Sequence, residues 1–345
     1  MSPRDPSAAR KGPLIAIAEY LPARSLQVAL RLLPRRGALA IGRWLGLIAW
    51  ALDSRHRKVA LENLSACLPE AAADPAVAAR IARRCFAHFG AVAVDCLLLP
   101  SRRISDVEDL AVWKGLEHLK AAHLKGKGVL VTSGHLGNWE IVALLQGWAG
   151  WPMAMVTRPL DNPLLERLLA RGRIASGNAI IHKRQAVRKV LRALRDGWCI
   201  ALVIDQDFPE ADRVFVDFFG RAASAAPTLG LIALRTGAPV VPVMSRLLPD
   251  GRYEIEYLPA LQARGSGDRE ADVIDIMSRC TALLEQTIRS HPEQWLWMHR
   301  RFKTRPRATG PTIPGRPNAA GKNPEEASEC PQQDAAPSSS IGTAR

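Results

Sequence analysis

From Gly128 onward the chain alternates short apolar runs, at 128–133, 152–158, 179–183, 199–205, 239–247 and 252–258, with helix-like stretches at 138–149, 161–175, 185–196 and 226–236. Runs that are apolar almost throughout suit strands covered on both faces, and the intervening helices supply the cover. The pattern predicts an α/β fold, a largely buried mixed sheet flanked by helices. Upstream, residues 54–99 read as two helices, the second around Val77 to Leu99, and Trp113 to Lys125 as another. A long amphipathic helix is expected at about 269–290. From Pro306 the sequence turns to Pro, Ala, Gly, Ser and Gln without apolar periodicity, so residues 307–345 are expected to form a disordered tail.

The 345 residues carry a formal charge of +14, and 48% are hydrophobic, enough for a sizeable core. Residues 1–60 hold 11 Lys and Arg against three acidic residues, a local net of +8. Such a bias attracts anionic lipid headgroups, nucleic acid or an acidic carrier protein. No zinc-knuckle spacing, aromatic RNA-binding motif or basic recognition helix supports a nucleic-acid partner. Residues 13–34 are mostly apolar but interrupted by Glu19 and Arg24; residues 38–52 are short for a span and contain Arg43. An amphipathic or monotopic anchor is the preferred expectation, two ordinary core helices the alternative. The resulting organisation is a basic, apolar membrane-associating region at 1–52, a main α/β domain at 53–306 and the tail at 307–345. Six cysteines without a C-x-x-C pair fit a reducing, cytoplasmic setting.

Residues 133–140 read S-G-H-L-G-N-W-E. The strand-like run ending at Ser133, the glycines Gly134 and Gly137, and Asn138 as a plausible N-cap place His135 in a turn and Glu140 in the first turn of a helix. A neutral imidazole removes a proton near pH 7, and a nearby carboxylate fixes its tautomer and stabilises the imidazolium. His135 and Glu140 are therefore a candidate general-base pair; a surface histidine beside an unrelated cap is the alternative. No G-x-S-x-G elbow, Walker loop or H-E-x-x-H pair competes, and the dispersed histidines argue against a metal. Asp205 and Gln206 end the strongly apolar run 199–205. Strand C-termini gather around the cleft of a parallel sheet, so Asp205 is expected to bind Arg171 or to position substrate, unless it caps the next turn. Phe218, Phe219 and Gly220 are candidates for lining an apolar channel or, more simply, for the core. Trp295, Trp297 and His299 read as a C-terminal packing element.

The octapeptide resembles the H-x4-(D/E) block of the bacterial lipid A late acyltransferases, lauroyl and myristoyl transferases within the lysophospholipid acyltransferase superfamily. Further blocks agree in order: V-T-R-P-L-D-N-P at 156–163, A-L-V-I-D-Q-D at 201–207, F-F-G-R-A at 218–222, R-T-G-A-P-V-V-P-V at 235–243 and Q-W-L-W-M-H-R-R-F-K at 294–303. The resemblance covers roughly residues 10 to 306. It implies an O-acyltransferase without a cofactor, moving a fatty acyl chain from an acyl carrier protein or coenzyme A thioester to a hydroxyl of a lipid A precursor at the cytoplasmic face of the inner membrane. His135 would take the hydroxyl proton with Glu140 orienting the ring, and backbone amides around Gly134 and Gly137, or a guanidinium, would meet the oxyanion. The resemblance also makes Arg158, Asn162 and Arg171 candidates for phosphate or transition-state contacts; a solvated helix face is the alternative for Arg171. Two other functions fit the same residues: the same chemistry on a lysophospholipid or another glycolipid, and an inactive basic protein that binds membranes.

Overall fold

The structure is a computed structural model that describes residues 12–98, 108–157, 159–182 and 186–306. Five helices come first: α1 (Pro13–Arg31), α2 (Arg35–Leu52), α3 (Ser54–Cys67), the short α4 (Pro69–Ala73) and α5 (Pro75–Leu98). Then follow β1 (Ala111–Lys114), α6 (Leu116–His123), β2 (Val129–Ser133), α7 (Trp139–Trp148), β3 (Met153–Thr157), α8 (Pro163–Ala175), β4 (Ala179–His182), α9 (Ala186–Arg195) and β5 (Cys199–Val203). The chain continues through β6 (Val214–Phe218), β7 (Arg221–Ala225), α10 (Thr228–Thr236), β8 (Val240–Leu247), β9 (Tyr253–Tyr257) and α11 (Arg269–Ser290). The six apolar runs beyond Gly128 are all strands, as their pattern predicts.

Seven strands form one sheet in the order β1-β9-β8-β2-β5-β3-β4. The stretch from β8 to β4 is parallel throughout, while β9 runs antiparallel to β8 and carries β1 parallel to itself, so the sheet is mixed. Its centre is dry. Val129, Leu130, Ile200, Val240 and Val241 are at most 1% exposed, and apolar clusters lie on both faces. From β2 the chain moves to β3, and from β5 it moves to β8, in opposite directions across the sheet. Outgoing connections that diverge in this way open a crevice at the carboxyl ends of the two neighbouring strands.

Two expectations change. The single helix expected at Trp113 to Lys125 is split, because Ala111–Lys114 pairs with β9 at the sheet edge and α6 starts only after Gly115. Between the fourth strand-like run and α10 lies an antiparallel hairpin, β6–β7, in register from Val214↔Ala225 to Phe218↔Arg221. Its two-residue turn, Phe219-Gly220, has positive φ at both positions, 57° and 70°. That is the backbone a tight hairpin requires, yet a bulky residue supplies its first half.

The helical layer is fastened by close backbone approach. A Cβ on Gly90 would meet the Gly42 carbonyl oxygen at 2.1 Å, and one on Gly46 would meet that of Phe86 at 2.1 Å. These positions let α2 and α5 pack closer than side chains allow. Leu14, Ile17, Leu21 and Val28, spaced so that they share a stripe of α1, and Leu32 just past its end are 44–83% exposed, as is Trp44 on α2 at 62%. Among the described residues, no helix is long and apolar enough to cross a membrane.

Candidate active site

Strands β2 and β5 pair from Val129↔Cys199 to Ser133↔Val203. Two residues past each strand end stand His135 and Asp205, so the strand register itself brings this imidazole and this carboxylate side by side. The His135 Nδ1 lies 2.7 Å from Asp205 Oδ1, and the His135 peptide N–H donates to Oδ2 at 2.7 Å. The Trp295 indole N–H donates to the same Oδ2 at 2.7 Å. An ionised carboxylate only accepts, so Nδ1 carries the proton and Nε2 is the free base. Gln206 offers its amide nitrogen to that Nε2 at 3.1 Å, and Trp139 meets the ring edge-on at 4.6 Å.

Electrostatics reinforce the pair. Burial pulls the His135 pKa down, but the Asp205 charge and hydrogen bond, with a further contribution from the Glu140 charge, outweigh it and leave it raised. Burial works against the Asp205 anion as well; His135 and the Trp295 donor overcome it and hold the carboxyl at about 2.

The partner of the imidazole is therefore Asp205, where the sequence pointed to Glu140. Glu140 does sit in the first turn of α7, behind an Asn138 N-cap whose Oδ1 accepts from the Ile141 N–H at 3.1 Å. Its carboxylate turns to Arg173 on α8, which grips it with Nε at 2.8 Å and a terminal nitrogen at 2.6 Å. The reason is geometric: five residues separate His135 from Glu140 across a turn, and the helix carries the second side chain away from the first. Sequence reasoning passed over Arg173 for Arg171, which is exposed on α8. Asp205, with both oxygens committed, does not bind Arg171. Asn162 is 3% exposed and fully used. Its Oδ1 accepts from Leu164 and Leu165, capping α8, while its Nδ2 donates to the Ala16 carbonyl and to Glu19 on α1. It is a joint between helices. Gln206 is exposed and touches the base. Arg158 lies outside the described residues, as do residues 1–11 and 307–345.

The turn itself is clamped by the C-terminal segment. The Gly137 N–H donates to the Gln294 carbonyl at 2.9 Å and the Leu296 N–H to the His135 carbonyl at 3.1 Å. The Gly137 amide is thus spoken for and is not available to an oxyanion. Gly137 has φ 60°, and a Cβ there would lie 2.0 Å from the Ser245 carbonyl oxygen. Trp295 and Trp297 are at most 1% exposed and meet edge to face at 4.6 Å, a packing element as expected, though Trp295 also serves Asp205. Phe218 and Phe219 join that cluster. Beside it a groove of about 570 Å³ runs along α2 and α5, lined by Leu45, Phe86, Phe89 and Leu97 together with Asp53, His56 and His299, and reaching Leu296 and Met298.

Fold and site define an α/β protein with a largely buried imidazole–carboxylate pair at the carboxyl edge of parallel strands and a mainly apolar groove nearby. The chain belongs to the bacterial lipid A biosynthesis acyltransferase family, whose model matches residues 17–304, and it is an acyltransferase. It is 29% identical over 272 residues to the lipid A biosynthesis lauroyltransferase of Escherichia coli K12, covering 77% of this chain and 85% of that protein. The palmitoleoyltransferase of the same organism is 28% identical over 271 residues, 77% and 85% of the two chains. Its myristoyltransferase is 26% identical over 263 residues, 76% and 79% of the two chains.

Proposed function

We propose that this chain moves a fatty acyl group from an acyl carrier protein or coenzyme A thioester to a hydroxyl of a lipid A precursor, with His135 as general base. The observation that carries the reading is the tautomer: Asp205 holds the proton on Nδ1, which leaves the Nε2 lone pair facing a polar, exposed side chain, Gln206. An acceptor hydroxyl takes the place of the Gln206 amide on Nε2. Its proton passes to the ring as its oxygen attacks the thioester carbonyl; the tetrahedral adduct then collapses, and the departing thiolate recovers the proton from the imidazolium. Asp205 stabilises that cation. Glu140 contributes charge at longer range and keeps Arg173 in place.

The groove along α2 and α5 has the mainly apolar lining an acyl chain needs. The outward stripe of α1 together with the +8 charge of residues 1–60 supports docking of the 1–52 region on the anionic cytoplasmic face of the inner membrane, with residues 53–306 as the acyltransferase domain and 307–345 as a tail. The relatives named for lipid A support the acceptor.

Mass spectrometry of lipids from cells with and without the gene tests the acceptor. Lipid A lighter by one secondary acyl chain, with glycerophospholipids unchanged, is expected. Unchanged lipid A with an altered phospholipid or glycolipid would move the chemistry to another acceptor. A wild-type protein that transfers no acyl group to any lipid leaves only membrane binding.

A further inference from the structure

The His135 turn is also gripped by residues that take no part in proton transfer. His88 and Asp95 are seven residues apart on α5 and so share one face of that helix. His88 is 8% exposed, and its Nε2 lies 3.2 Å from the Gly137 carbonyl oxygen. Burial drives its pKa down to about 4, so it stays neutral and donates to that carbonyl at working pH. The N–H of the same peptide, that of Asn138, donates to Ser245 Oγ at 3.0 Å.

Asn138 is held by its side chain too. Its Nδ2 donates to the Tyr253 hydroxyl oxygen at 3.1 Å, and that hydroxyl donates to Asp95 Oδ2 at 2.7 Å. Asp95 is 0% exposed and is neutralised by a fork from Arg35 in the first turn of α2, with Nε 3.0 Å from Oδ1. A fully buried ion pair is a weak way to stabilise a fold, since well-packed apolar side chains of the same volume often do as well or better. It is a strong way to fix where one group sits.

We propose that His88 and the Asp95–Tyr253 pair are positioning residues for acyl transfer. They hold the Gly137–Asn138 peptide, and through it the His135 ring, in register with Asp205. The role as stated rests on the acyl-transfer reading. A base displaced by about 1 Å loses on the order of a hundredfold in rate, so holding the turn is worth more to turnover than to stability.

The test uses the full-length protein, measuring steady-state acyl transfer beside deuterium uptake of the peptide covering residues 134–141. Tyr253→Phe and His88→Leu are expected to lower kcat at least about tenfold, to leave the KM for the acyl donor within about twofold, and to speed exchange in that peptide. The pH at which activity switches on is expected to move down, because a ring out of register with Asp205 loses part of the charge and hydrogen bond that raise its pKa. His88→Gln, which keeps a donor, is expected to recover most of the lost kcat. Folded Tyr253→Phe and His88→Leu enzymes with kcat close to wild type overturn the proposal, whatever their melting temperatures. Should both fail to fold, Arg35→Lys, which keeps the charge and loses the fork, is expected to lower kcat in smaller degree, and a wild-type kcat there overturns it equally. If the wild-type protein shows no acyl transfer while the variants still speed exchange at 134–141, the acyl-transfer reading fails and the hold on the turn stands.

Discussion

At the scale of single residues, His135 was legible in the sequence and its partner was not. Two glycines and an N-cap mark a strand-to-helix turn, and a lone imidazole there announces itself. Asp205 is 70 positions away and becomes a neighbour only through the β2–β5 register, which no local pattern encodes. Replacing the base, His135→Ala, is expected to cost about a hundredfold or more in turnover without unfolding, checked by activity beside circular dichroism; a folded variant with near-normal turnover sinks the mechanism. The pH profile separates the two carboxylates. Because His135 is raised above 6.5 and must be neutral to act, activity is expected to rise with pH on a limb above 6.5. In Asp205→Asn the opposing charge is gone and burial prevails, so the limb moves to lower pH while kcat falls by about a hundredfold. Stability follows the same signs. The imidazole's contribution is complete below its unfolded value of 6.5 and is lost as pH rises through the raised folded value. The Asp205 contribution is present above 3.8 and is lost as pH falls through about 2.

At the scale of elements, the strands beyond Gly128 were readable because buried parallel strands are apolar along their whole length. The β6–β7 hairpin escaped because its turn is Phe219-Gly220 rather than the Asn-Gly or Asp-Gly that signals such a backbone. Tertiary contacts supply what the local sequence lacks: the Phe219 N–H donates to Glu285 on α11, and the Arg289 guanidinium lies 4.6 Å from its ring. The α2–α5 seam was equally invisible, since glycines within an apolar helix give no sign of which backbone they will meet. Gly90→Ala drives a methyl into the Gly42 carbonyl and is expected to destabilise the protein by roughly 1–3 kcal/mol, read as a lowered melting temperature. An unchanged transition would mean that the seam yields without cost.

At the scale of the whole molecule, charge and apolar exposure coincide at the N-terminal end. Leu14, Leu21 and Val28 are 48–82% exposed on one stripe of α1. Changing all three to Gln is expected to leave the fold intact, because little is buried there, and to weaken binding to anionic vesicles at least about tenfold, since each fully buried aliphatic side chain is worth about 1.5–3 kcal/mol. Added salt should weaken the wild-type protein only in part, as it screens charge and leaves apolar burial alone. Vesicle binding by the triple variant equal to wild type would place the contact elsewhere. The pairing of residues 294–297 with the His135 turn carries a further consequence for synthesis. Asp205 lacks its indole donor, and the turn its backbone partners, until nearly the last residue of the fold has been made. A chain that stops before Gln294 therefore carries His135 and Asp205 without the indole donor and without the two backbone bonds that clamp the turn.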